Sequence, residues 1–197
     1  VAEFDFDAAR RWARFDPQRT LARRGDAELP FVKASLIGGQ GLLVDTCVYI
    51  DQMQDRSPQV LDDLIAQRQV NHSTAAIQEL MHIVGVLSPA DARTAGVIAE
   101  IGKQIKAMPP HRIFVPDAEV LGKAALLSGI LCRLQGYEKD GKLRALQDCV
   151  LFLQAQKLGL VALTANVGDY DLLLQLVPAG RALFYRQKMK SAQPGLS

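Results

Sequence analysis

Short apolar runs alternate with helical periodicity along most of this chain. Leu42-Leu43-Val44 reads as a strand that stops at Asp45. Residues 57–68 read as a helix with Val60, Leu61, Leu64 and Ile65 on one side. Val70 to Thr74 is short and strand-like, and Ile77, Leu80, Met81, Val84 and Leu87 then recur at helical spacing over 75–87. Pro89 ends that helix, and another spans 90–106. Pro109-Pro110 break the chain before Ile113-Phe114-Val115, a strand closed by Pro116. A helix follows over about 117–135. Gly136 to Gly141 read as a loop, so that Asp148 opens a helix running to about 158. Leu160 to Thr164 is a strand, followed by a loop and a short helix to 176, and Ala182-Leu183-Phe184-Tyr185 is the last strand. Strand runs that are apolar throughout belong in a parallel sheet covered on both faces. Right-handed crossovers then make the fold a doubly wound α/β/α sandwich. In such sheets function gathers at the carboxyl ends of the strands, near the switch point.

Residues 1–40 break this pattern. They hold Arg10, Arg11, Arg14, Arg19, Arg23 and Arg24, then Gly25, Pro30 and Gly38-Gly39. They read as an Arg-rich arm, partly helical around 6–24. Residues 41–186 make the α/β domain, and 187–197 a polar C-terminal tail. Arg10, Arg11 and Arg14 are candidate contacts to RNA phosphates, which would be salt-sensitive. Trp12 and Phe15 favour packing of the arm on its own domain or on a second subunit.

Composition narrows the choices. The chain has 197 residues, 49% of them apolar, which suits one domain with a full core and excludes disorder by composition. A net charge of +2 excludes a protein that coats nucleic acid by charge alone, but not local basic patches. The three cysteines, Cys47, Cys132 and Cys149, have no metal-like spacing and point to a reducing, cytoplasmic setting. No apolar run reaches the roughly 18 residues of a membrane span, and the N-terminus is not a secretory signal. A soluble protein without a membrane partner is expected.

The informative residues are acids out of place. Asp45 ends an apolar strand, at the carboxyl edge. Asp148 shares its helical face with Leu151, Phe152, Ala155 and Leu158, so it heads a buried stripe; an acid in a first turn also serves as a plain N-cap. Glu79 flanks an apolar stripe, where a border salt bridge is the ordinary role. Asp169, in Thr164-Ala-Asn166-Val-Gly-Asp169-Tyr170, sits in what alone is an Asn/Gly/Asp turn. Yet each acid follows or flanks a different strand, and the strand ends share one edge. Carboxylates converging there repel one another, and a hard cation with oxygen ligands relieves the repulsion. Mg²⁺ or Mn²⁺ in such a site activates water and stabilises the leaving oxygen of a phosphodiester.

The motifs themselves resemble a known family. Leu42-Leu-Val-Asp45-Thr46-Cys-Val-Tyr-Ile50 resembles the opening strand of PIN domains, in particular the VapC-like toxin group. Ser73-Thr-Ala-Ala-Ile-Gln-Glu79-Leu80 resembles the second acidic motif, and Phe114-Val-Pro-Asp117 the segment before the third acid. Asp148-Cys-Val-Leu-Phe-Leu-Gln-Ala-Gln-Lys-Leu-Gly159 and Leu163-Thr164-Ala-Asn166-Val-Gly-Asp169-Tyr170 resemble the third and fourth motifs in order and spacing. The resemblance covers about 41–186. It implies strand order 3-2-1-4-5 and a metal-dependent endoribonuclease cutting RNA with Mg²⁺ or Mn²⁺. It also implies an antitoxin partner and a homodimer. Asp45, Glu79, Asp148 and Asp169 would be the catalytic, metal-binding acids. Thr46, Thr164 and Asn166 would line the pocket, with Asn166 able to ligate through its carbonyl or hold a metal-bound water. Cys47 stands where the family has a small polar residue, which implies the loss of a hydrogen-bonding side chain beside Asp45.

Three function classes follow: the metal-dependent endoribonuclease, an inactive PIN module that binds RNA or protein, and another acidic α/β enzyme. The last is disfavoured because a dehalogenase-like phosphatase needs an acid where Cys47 stands. Lys33, Lys139, Lys142 and Arg144 are candidate flanks of a substrate cleft. His72 and His82 read as structural or exposed. Cys47 and Cys149 read as packed cysteines.

Overall fold

The computed structural model describes residues 4–15, 20–36 and 38–188, without the side chains of Arg14, Phe15, Leu36, Lys139 and Asp140. Arg19 and the tail beyond 188 lie outside the described residues.

Chain order starts with a short helix, α1 (Phe6–Arg10), and a 3₁₀ segment Arg11–Phe15. The domain then runs β1 (Leu42–Val44), α2 (Thr46–Met53), α3 (Gln59–Gln67), β2 (Val70–Ser73), α4 (Thr74–Val86) and α5 (Thr94–Ala107). It continues through β3 (Ile113–Phe114), α6 (Ala118–Gln135), α7 (Lys139–Lys157), β4 (Val161–Thr164), α8 (Val167–Leu176) and β5 (Ala182–Phe184). The five strands are all parallel, in the order β3-β2-β1-β4-β5, with helices flanking the sheet. β1, β4 and β5 are buried along their length, as strands covered on both faces must be. The chain winds outward from β1 to β3 and then returns to β4 on the other side of β1. The switch point therefore lies between β1 and β4, where Asp45 N donates to Leu163 O at 3.0 Å.

Local chemistry sets the helix starts. Ser73 caps α4 by accepting from Ala75 N at 3.0 Å, and Asp117 caps α6 by accepting from Val120 N at 3.0 Å. Asp45 itself caps α2, so the apolar run that opens the domain is strand for only three residues and turns helical at Thr46. The helix expected at 90–106 starts later, at Thr94, because Asp91 binds Arg93 N at 2.9 Å and holds a turn ahead of it.

One expectation changes. Asp148 does not open a helix: α7 starts at Lys139, two turns earlier, so Asp148 lies mid-helix and caps nothing. The glycine at 141 suggests a loop but costs a helix only about 1 kcal/mol, and packing of α7 along α6 overrides it. The described helical part of the arm is α1 and the 3₁₀ segment Arg11–Phe15, and residues 20–25 run irregularly.

The second half of the arm is stitched to the domain. Phe31 pairs with Phe184 in a parallel bridge, with Val32 N donating to Phe184 O at 2.7 Å and Phe184 N to Pro30 O at 3.0 Å. That covers the open edge of β5. Asp171 of α8, fully buried, accepts from Arg24 N at 2.7 Å and Arg24 Nε at 2.6 Å. Among the described residues no helix is long and apolar enough to cross a membrane.

Candidate metal centre

The strand ends at the switch point deliver the acids. Asp45 follows β1 directly and is 5% exposed. One carboxylate oxygen accepts from Thr46 N at 2.6 Å; the other accepts from Thr164 Oγ1 at 2.5 Å and from Cys47 Sγ at 3.3 Å. Burial pushes this carboxyl above its ordinary range, and these donors offset part of the rise. Glu79 reaches in from the second turn of α4. Burial pushes it up to about 7, with Thr46 pulling it down and the Asp45 charge adding to the rise. Asp148 comes from the middle of α7 and is 6% exposed. Burial, then Asp45, Asp169 and Glu79, raise it well above the usual carboxylate range, while Arg144 pulls it down.

Asp45, Thr46, Glu79, Asp148 and Asn166 line one open pocket of about 550 Å³. Asp169 is not part of that lining. It sits in the first turn of α8, with Oδ1 accepting from Tyr137 Oη at 2.5 Å and Oδ2 from Asn166 Nδ2 at 2.9 Å. The same Asn166 nitrogen donates to Asp148 Oδ2 at 3.1 Å, while Asn166 Oδ1 accepts from Asp169 N at 3.3 Å. Asn166 thus turns its amine toward the acids, and its carbonyl is engaged by the backbone of its own helix.

Thr164 ties the two strand ends together. Its hydroxyl donates to Asp45 and accepts from Asn166 N at 2.9 Å. Cys47 keeps a hydrogen-bonding role beside Asp45, contrary to expectation: its sulfur also accepts from Ala165 N at 3.3 Å. Burial and the Asp45 charge push this thiol up, so it stays a protonated donor. Cys149 is buried within the core.

The structure separates the other candidates. Arg10 and Arg11 lie with Asp7 on the arm, outside the acidic pocket's lining. Arg14's side chain lies outside the described residues, as does that of Lys139. Arg144 lines the pocket; Lys33 and Lys142 do not. His72 faces elsewhere, paired with Tyr49 Oη at 2.7 Å, whereas His82 reaches the pocket's rim. Sequence reasoning missed Tyr137, Gln147 and Gln187 at the site. Gln147 precedes Asp148 in a stretch that reads as loop, and Gln187 follows the last strand without a motif.

A divalent cation suits the donor chemistry: oxygen ligands on carboxylates raised by burial, with the Asp45 charge adding to the rise at Glu79 and Asp148. Two buried hydroxyls next to them, Thr46 Oγ1 and Tyr170 Oη, have no hydrogen bond of normal geometry among the described residues. Tyr170 feels the charges of Asp45, Asp148 and Glu79. As they stand, no three His, Cys, Asp or Glu side chains among the described residues form a metal-holding group. The acids share a pocket without closing into a coordination shell.

No protein-family model matches this chain, and neither does any curated protein. Solved structures do. A chain of the FitAcB crystal structure from Neisseria gonorrhoeae superposes with a TM-score of 0.51 at 20% identity, over 73% of this chain and 96% of that one. A chain of FitAB bound to an IR36 DNA fragment gives 0.51 at 16% identity, over 77% and 99%. The fold is PIN-like. The five-stranded parallel sheet with its 3-2-1-4-5 order is that architecture, and the acidic pocket lies at its carboxyl edge.

Proposed function

We propose that this chain is a VapC-like PIN ribonuclease, a metal-dependent endonuclease that hydrolyses RNA phosphodiesters. The observation that carries the reading is the convergence of Asp45, Glu79 and Asp148 on one pocket at the switch point of a PIN-like sheet. Asp45, Glu79 and Asp148 would hold Mg²⁺ or Mn²⁺, which supplies an activated water and a counter-charge for the phosphate. Thr164 and Cys47 aim Asp45, and Asn166 aims Asp148. Glu79 stays protonated up to about pH 7, so filling the site releases a proton near neutrality. Hydrolysis joins a water oxygen to phosphorus and breaks the bond to a sugar oxygen, which leaves with a proton. Asp169 supports this site from behind rather than lining it.

The similarity to FitAB complexes favours a protein partner, which the VapC-like resemblance makes an antitoxin, and the same resemblance implies a homodimer. A second reading, an inactive module that binds RNA, is favoured by the acids' open spacing. One experiment separates them. Purified protein is stripped with EDTA and given RNA with Mg²⁺ or Mn²⁺, alongside Asp45→Asn and Asp148→Asn. Cleavage that returns with metal and is lost in both variants supports the enzyme. RNA binding without Mn²⁺ uptake supports the module.

A further inference from the structure

The turn between α6 and α7 approaches the acidic site from behind. Gly136 takes the left-handed conformation, φ +65°, as the C-cap of α6. The chain reverses there and delivers Tyr137 to the first turn of α8. Tyr137 Oη donates to Asp169, Asp169 accepts from Asn166 Nδ2, and that nitrogen also donates to Asp148. A carboxylate can only accept, so the carboxylates on both sides decide which end of the Asn166 amide faces them. Tyr137, Asp169, Asn166 and Asp148 form one hydrogen-bonded line. Among the described residues this line engages Asp148 through Oδ2, leaving Oδ1 for the pocket.

The arm laces the same junction together. Thr20 Oγ1 donates to Leu134 O at 3.0 Å, and Gln135 Nε2 to Leu21 O at 3.2 Å, both at the end of α6. On α8, Gln175 Nε2 donates to Ala22 O at 3.0 Å, and Asp171 holds Arg24 through its backbone and side chain. Four arm residues within Thr20–Arg24 thus bind the end of α6 to α8, the two elements that the Tyr137–Asp169 contact joins.

We propose that Tyr137 is a positioning residue for Asp148, acting through Asp169 and Asn166, and that arm residues Thr20 to Arg24 brace it. Asp169 spends both oxygens on this line, which makes it a support and not a ligand. The effect on cation binding rests on the metal-site reading above; the hydrogen-bonded line does not.

The test uses the full chain, calorimetric Mn²⁺ titration and thermal melting. Tyr137→Phe keeps the ring and removes only the donor. It is expected to weaken Mn²⁺ binding about 3–10-fold, less than the roughly 10–100-fold of a direct outer-shell partner, because two groups intervene. The double variant Tyr137→Phe/Asp169→Asn should bind no more weakly than Asp169→Asn alone, as residues in one line are not additive. A merely structural tyrosine would lower the melting temperature and leave Mn²⁺ affinity unchanged, which overturns the proposal. Gln135→Met/Gln175→Met cuts two arm tethers and should reproduce part of the loss; unchanged affinity there removes the arm from the proposal. If the wild-type protein takes up no Mn²⁺, the metal-site reading fails by itself. The metal-free protein then decides: the Asn166 side-chain amide NMR signals should move in Tyr137→Phe, and unmoved signals overturn the positioning line.

Discussion

Thr164 Oγ1 donates to Asp45 Oδ2 at 2.5 Å and accepts from Asn166 N at 2.9 Å, so one buried hydroxyl joins the residue after β1 to the N-cap of α8. The two motifs are 119 positions apart in the chain. The acidic pocket depends on this link because Asp45 has no cationic neighbour among its hydrogen-bond partners.

Removing that hydroxyl should therefore cost both stability and chemistry. Thr164→Val preserves shape but leaves Asn166 N without its acceptor and Asp45 short of a donor. A loss of about 1–3 kcal/mol is expected in urea denaturation. RNA cleavage should fall by roughly 10–100-fold, as for loss of an outer-shell partner of a metal ligand. Wild-type activity in Thr164→Val would show that Asp45 needs no such aim.

Glu79 makes the metal-free protein pH-sensitive. Its carboxyl ionises at about 7 in the fold against 4.5 in the unfolded chain. Below 4.5 both states are protonated and its contribution to stability is fully present. As pH rises toward 7 the unfolded chain releases the proton first, so this contribution is lost. Glu79→Gln should flatten that part of the stability profile measured with EDTA present. Mn²⁺ affinity should rise through pH 7 in the wild type as the ligand ionises.

Arg24 tests the arm as part of the fold. Its partner Asp171 is 0% exposed, so Arg24→Ala strands a buried carboxylate. The expected loss is about 3 kcal/mol, at the low end for a broken buried pair, since Gln175 and the Arg24 backbone still donate to Asp171. Equal urea midpoints for variant and wild type would mean that the arm adds nothing.

Arg144 lies one helical turn before Asp148 on the rim of the pocket. Arg144→Ala should raise KM for RNA several-fold with little change in kcat, and lower the salt-dependence slope of binding by about one. A change confined to kcat would assign it to the chemistry instead.

The hydrophobic pattern alone determined where the strands lie, that the sheet is parallel, and that Asp45 ends an apolar strand. It also determined that Asp148 shares a face with a buried stripe. These are legible because strand runs and helical periodicity are local properties of a few consecutive residues. The helix start at Lys139 was not legible, because packing along α6 outweighs the local preference of Gly141. Nor were the partners of Asp169 and Asn166. Asp169 and Asn166 look alike as turn residues in sequence, and only folding sets Tyr137 and Asp148 on either side of them, 32 and 18 positions away. Cys47 reads as a lost hydrogen bond until Ala165 arrives across the sheet to donate to it, and nothing in the sequence pairs Arg24 with Asp171 until α8 brings them together. Side-chain hydrogen bonds between distant segments leave no period in the chain. They exist only once burial has removed the water that would otherwise satisfy each group.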